Sequence, residues 1–392
     1  MEKQTTMKKK YINIILTLLA VAVMPFYLYG QMIIPLLIVG VATAIVFEFI
    51  CNRFAGKKKI ENQDYSCIIT ALITTLLLPA TAPWWIVVVS VFVALVIAKH
   101  PFGGTGFNIF NPAAAGLAFV AICWPEYVLR YPIPQAIKSV TDASMIQYVD
   151  SFSSILKGGG TPKTHYFTVL LGDFAGPMGA TCILVLLTCM IYLLIRRVIN
   201  IRVVSSTILV VAITALLFPR VQTNLVSSLV FEFTSGVLLF GTIFMASDPA
   251  TMPKTKNGQV LYGLILGIFV MIFRHFGAME LEFVYAILIA NIFAIPCDRY
   301  ANALHNKMNA FMDSSKAKQK RENTSTEQEA MQPIEKPQPE LSKARIVVVG
   351  EVDANEKVEE VVVLKETQPA KGNTNQAKKS KANAKAGKAG RK

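Results

Sequence analysis

The chain has 392 residues, 53% of them hydrophobic and only 16% charged, and its 39 lysines and arginines outnumber 25 acids for a net charge of +14. Mean hydropathy is +0.46. Apolar residues at this density, arranged in blocks, exclude an ordinary soluble globular protein and point to an all-α polytopic membrane protein.

Ten apolar segments are predicted to be transmembrane helices: Tyr11–Tyr29, Ile33–Ile50, Ser66–Leu78, Trp84–Ala98, Asn111–Trp124, Gly179–Ile195, Val203–Leu217, Leu229–Ala246, Val260–Phe273 and Phe283–Pro296. Several are shorter than the roughly 20 residues of a full crossing, as happens where helices are broken or tilted around a site within the membrane. The basic start and the absence of a small-x-small pattern at Tyr29-Gly-Gln make the first segment a signal anchor. Lys8, Lys9 and Lys10 precede it. Arg53 and Lys57–Lys59 follow the second segment, Lys99 the fourth, Arg196, Arg197 and Arg202 the sixth, and Lys254 and Lys256 the eighth. The alternate connections are poorer in lysine and arginine for their length, with Arg220 and Arg274 among the exceptions. The positive-inside rule therefore assigns both termini to the cytoplasm.

Two interruptions stand out. Lys99-His-Pro-Phe-Gly-Gly-Thr-Gly-Phe-Asn-Ile-Phe-Asn-Pro-Ala113 and Ala246-Ser-Asp-Pro-Ala-Thr-Met-Pro253 break otherwise apolar stretches. Unwound backbone and amides are costly near lipid unless they line a cavity or hold a ligand. Both fall on the cytoplasmic side, so they are expected to build one site. Gly103, Gly104 and Gly106 permit close approach of backbone to a flat ligand, or to a neighbouring helix. Asn108 and Asn111 offer donor and acceptor together, which suits the imide and ring nitrogens of an isoalloxazine. Pro112 is placed to open the next helix. Asp248 either caps the approach to the ninth segment or binds the same ligand. The glycine run lacks the Gly-Lys-Ser/Thr ending of a phosphate loop and follows no strand, which argues against nucleotide hydrolysis.

Ionisable residues inside spans are functional candidates. Glu48 is read as a cation- or proton-handling group, or as a carboxylate reaching the interface. Glu232 and Glu282 read as interfacial, and His100 as structural or ligand-adjacent. The six cysteines form no Cys-x-x-Cys or metal-spaced cluster and read as small buried apolar residues, and no metal site is expected. No Ser/His/Asp set supports a hydrolase. The long external loop, residues 125–178, is expected to carry function or partner contacts. Residues 1–301 are read as the membrane domain. The stretch 302–392, ending in the acid-free run Lys378–Lys392, reads as a disordered basic cytoplasmic tail attracted to anionic lipid, with Ile346–Val349 and Val361–Leu364 as a minor hairpin. No nucleic-acid partner is expected.

Phe102-Gly-Gly-x-Gly-x-Asn-x-Phe-Asn-Pro-Ala113, Leu78-Pro-x-x-x-Pro-Trp-Trp85, Phe244-Met-Ala-Ser-Asp-Pro-Ala-Thr-x-Pro253 and Tyr285-Ala-Ile-Leu-x-x-Asn291 with Asp298-Arg-Tyr300 all occur in the chain. Over about residues 10–302 the chain resembles the family of the D subunit of the Rnf electron-transport complex and the B subunit of the sodium-translocating NADH:quinone reductase. Its size points to the D-subunit branch. The resemblance implies a flavoprotein subunit in a prokaryotic cytoplasmic (inner) membrane. The complex moves electrons between reduced ferredoxin and NAD and couples them to sodium or proton transport. This subunit is not catalytic alone. Its partners are the other membrane and peripheral Rnf subunits, with ferredoxin and NAD(H) reached through them. Noncovalent riboflavin is implied at the cytoplasmic side, at Asn108, Asn111 and Asp248, with Gly103, Gly104, Gly106 and Thr251 completing the expected set. One departure matters. The family joins FMN through a phosphoester to the threonine of an Asp-x-x-Ser/Thr-Gly-Ala-Thr motif, whereas the corresponding region reads Val140-Thr-Asp-Ala-Ser-Met-Ile-Gln147. Met178-Gly-Ala-Thr181 echoes three letters at a helix start, and Thr161 is the remaining acceptor. Two other readings stay open: a non-redox small-solute channel or transporter, and a flavin-poor scaffold subunit of the same complex.

Overall fold

Helices form on all ten apolar segments in a computed structural model that describes residues 2–55, 65–135, 146–162, 165–220, 224–277 and 280–330. Helix α1 (Glu2–Tyr29) passes through one 3-10 turn into α2 (Ile33–Phe54). Then come α3 (Ser66–Leu76), α4 (Trp84–Phe92) and α5 (Pro112–Cys123), with α4 prolonged by a π turn over Val93–Ile97. The connection to the second half carries α6 (Pro125–Val128), α7 (Phe152–Lys157) and α8 (Tyr166–Leu171). It also carries two short antiparallel strands, β1 (Tyr131–Pro132) and β2 (Tyr148–Val149), with Tyr131 opposite Val149. The second half comprises α9 (Ile183–Ile195), α10 (Ile201–Leu217), α11 (Leu225–Thr234), α12 (Leu238–Phe244), α13 (Lys256–Phe276), α14 (Glu282–Ile292) and α15 (Ala294–Ala330). Helices α11 and α12 form one span bent by 56°, and α14 and α15 another bent by 51°. By length and composition, three helical stretches suffice to cross a membrane, or five when the bent pairs are counted; α3, α5, α9 and α10 are shorter apolar helices.

The two halves share several helix pairings. Taking the bent pairs as single units, the first five helices make the contacts first–third, second–third, second–fourth and fourth–fifth. In the second half α9 meets α12, α10 meets the α11–α12 unit and α13, and α13 meets α14, which is the same pattern. The halves touch through their equivalent members, α1 with α9 and α5 with α14. A Pro-Ala-Thr-x-Pro sequence ends the third helix at Pro79–Pro83 and recurs after the eighth at Pro249–Pro253. With five helices to a half, the second copy runs inverted, the arrangement that in transporters places a site at the interface of the repeats.

Helices α3 and α12 lie at the centre, with Leu72, Leu76, Leu238 and Phe240 buried. The outer helices keep apolar faces exposed, including Ile12 and Leu16 on α1, Ile38 on α2 and Leu209 and Ile213 on α10. Such faces suit hydrocarbon rather than water. Helix α5 packs tightly on α4 because residue 116 is glycine: a Cβ there would strike the Ser90 carbonyl oxygen.

The chain divides into two units, Met1–Ser325 and Thr326–Lys392. Helix α15 continues through Asn302 to Ala330, beyond the expected start of the tail. The alanine, lysine, glutamate and glutamine of this stretch are strong helix formers, which outweighs its polarity. The expected hairpin, the basic terminus, Lys57–Lys59 and Val140–Ser144 fall outside the described residues. Cys67, Cys182, Cys189 and Cys297 are buried as expected, but Cys123, at the end of α5, is exposed.

Gly116→Val is expected to force α4 and α5 apart and cost about 1–3 kcal/mol. A thermal melt of the purified chain in detergent checks this, and an unchanged midpoint rules out the close approach.

Candidate functional site

The first break begins where α4's π turn ends, and it stays unwound because three of its residues take left-handed backbone. Gly103, Gly104 and Gly106 have φ of 110°, 90° and 91°, values that any other residue adopts only with strain. Asn111 then closes the break. Its Oδ1 accepts from Ala114 N (3.1 Å), capping α5, with Pro112 at the first helical position. Its Nδ2 donates to the Met245 carbonyl (3.3 Å), at the threshold of the second break.

The second break is held from within and from below. Asp248 accepts from Ala250 N (3.2 Å) and from the Thr251 hydroxyl (3.4 Å). Ser247 accepts from Asn200 N (3.1 Å), joining the break to the cap of α10. Asp298 accepts from the Lys254 and Thr255 amides (2.8 Å each) and from the Thr255 hydroxyl (2.6 Å), so α15 fixes the start of α13. Tyr262 donates to Asn291 (2.7 Å), tying α13 to α14.

Between the breaks lies a cavity of about 450 Å³. Ile69, Ile73, Ile243 and Phe244 supply apolar wall, while Lys10, Ser66, Asn108 and Asp248 supply polar groups. Ligand pockets combine these features at this size. Of the residues expected to bind a cofactor, Gly106, Asn108, Asn111 and Asp248 line the cavity. Gly103, Gly104 and Thr251 do not: the two glycines shape the turn, and Thr251 bonds to Asp248. Asn111 also spends its amide on the backbone. Asn108 is the informative member, because its side chain is 8% exposed and its Oδ1 has no hydrogen-bond partner among the described residues. A buried acceptor left open this way is costly unless a ligand fills it. Burial pushes the Asp248 carboxyl up, opposed by its hydrogen bonds and by the Lys99 charge.

Glu48 does not line the cavity. Its Oε2 meets Lys99 Nζ (3.0 Å) and His100 Nε2 (3.1 Å), and Asn52 donates to Oε1 (3.3 Å). Lys99 is only 1% exposed, so this carboxylate compensates a buried cation rather than reaching for the interface. Thr161 is exposed and lines neither this cavity nor the cleft described next.

The opposite end holds what the sequence did not reveal. Arg274 is almost fully buried, donating to Glu232 Oε2 (2.8 Å), Glu282 Oε1 (2.9 Å) and the Ser235 carbonyl (2.6 Å). Arg220 binds both oxygens of Glu232 (2.6 and 2.8 Å). Glu232 and Glu282 are therefore core ion-pair partners and not interfacial groups, with exposures of 2% and 0%. They fold inward because a buried guanidinium needs its donors satisfied. Beside them a cleft of about 960 Å³ reaches Glu280. The contributions of α1 and α3 to the cavity were also missed, although Ser66 and Thr70, four apart, form a small polar stripe in an apolar segment.

Comparison with known proteins agrees over most of the chain. Residues 1–305 match the family described as NQR2, RnfD, RnfE. The chain is 32% identical over 284 residues to the D subunit of the Na(+)-translocating ferredoxin:NAD(+) oxidoreductase complex of Acetobacterium woodii, covering 71% of this chain and 84% of that one. It is 29% identical over 292 residues to the D subunit of the proton-translocating ferredoxin:NAD(+) oxidoreductase complex of Clostridium ljungdahlii, covering 74% and 88%. It is 26% identical over 313 residues to the D subunit of the ion-translocating oxidoreductase complex of Actinobacillus succinogenes, covering 72% and 88%.

Arg274→Met is expected to leave Glu232 and Glu282 undercompensated in the core and to cost about 3–5 kcal/mol. Folded yield and melting temperature report it; wild-type values for both disprove the buried network.

Proposed function

Because the chain belongs to the NQR2, RnfD, RnfE family, we propose that it is the riboflavin-carrying membrane subunit of an ion-translocating ferredoxin:NAD(+) oxidoreductase complex. The observation that carries this reading is the open amide of Asn108 in a cavity shared by both breaks. Bound riboflavin supplies an electron-accepting and electron-donating ring, which no side chain of this protein offers. Asn108 supplies hydrogen bonds to a ring edge, Gly106 allows close approach, and the apolar wall keeps water from the ring. Asp248 lines the same cavity, and burial pushes its carboxyl up against the opposing pull of its hydrogen bonds and the Lys99 charge. Asn111 and Thr251 hold the geometry of the two breaks without needing to touch the ligand.

Covalent FMN fits poorly. Thr161 is exposed and lines neither the flavin cavity nor the cleft at the opposite end, so no step is assigned to it. Electrons reach and leave the cavity through the other membrane and peripheral subunits, and through them connect to ferredoxin and NAD(H). The family and the built amide site favour this reading over a solute channel.

Lys10, Lys99, Lys254 and Arg202 gather at the cavity end of the bundle. This supports a cytoplasmic cavity, with both termini on that side of a cytoplasmic (inner) membrane. Glu48 acts in cation coupling through Lys99, whose charge reaches both Glu48 and Asp248.

Asn108→Ala is expected to leave the protein folded while lowering riboflavin occupancy at least about tenfold, a loss of about 1.4 kcal/mol. Absorbance and mass spectrometry of the extracted flavin measure this, and full occupancy in the variant removes Asn108 from the site. Glu48→Gln is expected to slow ion-coupled electron transfer in the assembled complex by about tenfold while flavin content holds. Equal losses of both would reassign Glu48 to structure.

A further inference from the structure

The end of the bundle away from the cavity holds more negative than positive charge in its interior. Among the described residues, three buried carboxyl groups, Glu232, Glu280 and Glu282, face two guanidinium groups, Arg220 and Arg274. Arg220 and Arg274 share Glu232, and Arg274 alone reaches Glu282. Glu280, 3% exposed, has no arginine bonded to it among these residues, although the Arg274 charge reaches it; it is bonded by Ser151 and accepts from the Ser153 amide at 3.0 Å. Isolated buried carboxylates are not tolerated, so one further positive charge belongs here.

Two unpartnered atoms mark where it goes. Glu282 Oε2 and Tyr131 Oη are buried and have no hydrogen-bond partner among the described residues, although their residues are 0% and 1% exposed. The Tyr131 phenol, in β1, is pushed well up by burial and then by the charges of Glu280 and Glu282, so it stays protonated beside them. Glu280 opens onto the cleft of about 960 Å³, with Arg130, Asp150, Ser151 and Ser154 on its walls. A path to the exterior thus ends on a carboxyl group. Burial also pushes the Glu280 carboxyl up.

The inverted repeat gives this location a meaning. The connection before α14 joins the fourth and fifth helices of the second half, as the first break does in the first half. One copy carries asparagine amides at the cavity end. The other carries Glu280 and Glu282 at the opposite end, about 27 Å away along α13, from the eighteen-residue rise between Lys256 and Arg274.

We propose that Glu280, Glu282 and Tyr131 form a binding site for one monovalent cation, a proton or a sodium ion, reached through the cleft at the end opposite the flavin cavity. The inference rests on the ion-translocating reading and assigns that reading a holding point for the ion. Carboxylate and phenol oxygens suit a hard monovalent cation, and a proton shared between the carboxyl groups removes the same charge.

The test uses the full chain purified in detergent at constant ionic strength. Retention of radioactive sodium is measured at neutral and alkaline pH, and infrared spectroscopy reads the carbonyl band of a protonated carboxylic acid. Either about one sodium per chain, displaced by acid, or a protonated carboxyl lost on alkalinisation is expected, and Glu280→Gln should abolish whichever appears. Tyr131→Phe should weaken sodium affinity about tenfold or move the carboxyl titration by about one unit. Neither signal in the wild type, or signals unchanged in Glu280→Gln, overturns the proposal. If Glu280→Gln does not fold, an unchanged signal in Tyr131→Phe overturns it equally. Riboflavin content is read on the same samples. Flavin without a cation signal sinks this inference alone, and a cation signal without flavin sinks the cofactor reading alone.

Discussion

Backbone that leaves a helix inside an apolar bundle survives only if side chains or a ligand replace its lost hydrogen bonds. In this protein Asn111 does so for both breaks at once, capping α5 with its oxygen and holding the Met245 carbonyl with its nitrogen. Asp248 and Asp298 then satisfy amides across the second break. These side chains make two distant interruptions into one rigid frame. Within this frame the open oxygen of Asn108 is the unpartnered atom whose residue lines the cavity, available to something the chain does not itself supply.

Charge obeys the same logic. Lys99 and Arg274, at opposite ends, are each 1% exposed, and each is held by carboxylate partners. Neither cluster is a surface salt bridge of small energetic effect. Each is a buried charge whose partners are obligatory. Around Lys99 the charge also reaches Asp248 and so the cavity. Around Arg274 the acids exceed the bases, and that imbalance, rather than the pairing, leaves room for a mobile ion.

The residues of the two breaks and of the last membrane helices divide into two kinds of work. Gly106, Asn108 and Asp248 face the cavity. Gly103, Gly104, Thr251, Asn291 and Asp298 hold turns, caps and helix contacts. Helix packing follows suit: Gly116 sits where its neighbour's carbonyl leaves no room for a side chain. The inverted repeat explains why functional groups gather at both ends of one bundle, since equivalent connections of the two halves fall at opposite ends.

The amino-acid sequence by itself determined the helical class, the ten apolar segments and the two breaks, because hydrophobic blocks and Gly/Pro/Asn punctuation are local signals. Alternating basic connections predicted that both breaks share an end, and they do. The repeat was also present as two copies of Pro-Ala-Thr-x-Pro, a signal too short to be noticed without the helix pairing. Only the tertiary structure decided which motif residues face the cavity, that Glu48 belongs to Lys99 and His100, and that Glu232 and Glu282 lie in the core around Arg274. Those outcomes depend on partners 42 to 52 positions away, or, for Arg274 and Glu282, eight positions apart but on different helices, α13 and α14. The free energy of a buried charge or amide is set by what surrounds it in space, and no local pattern along the chain records that.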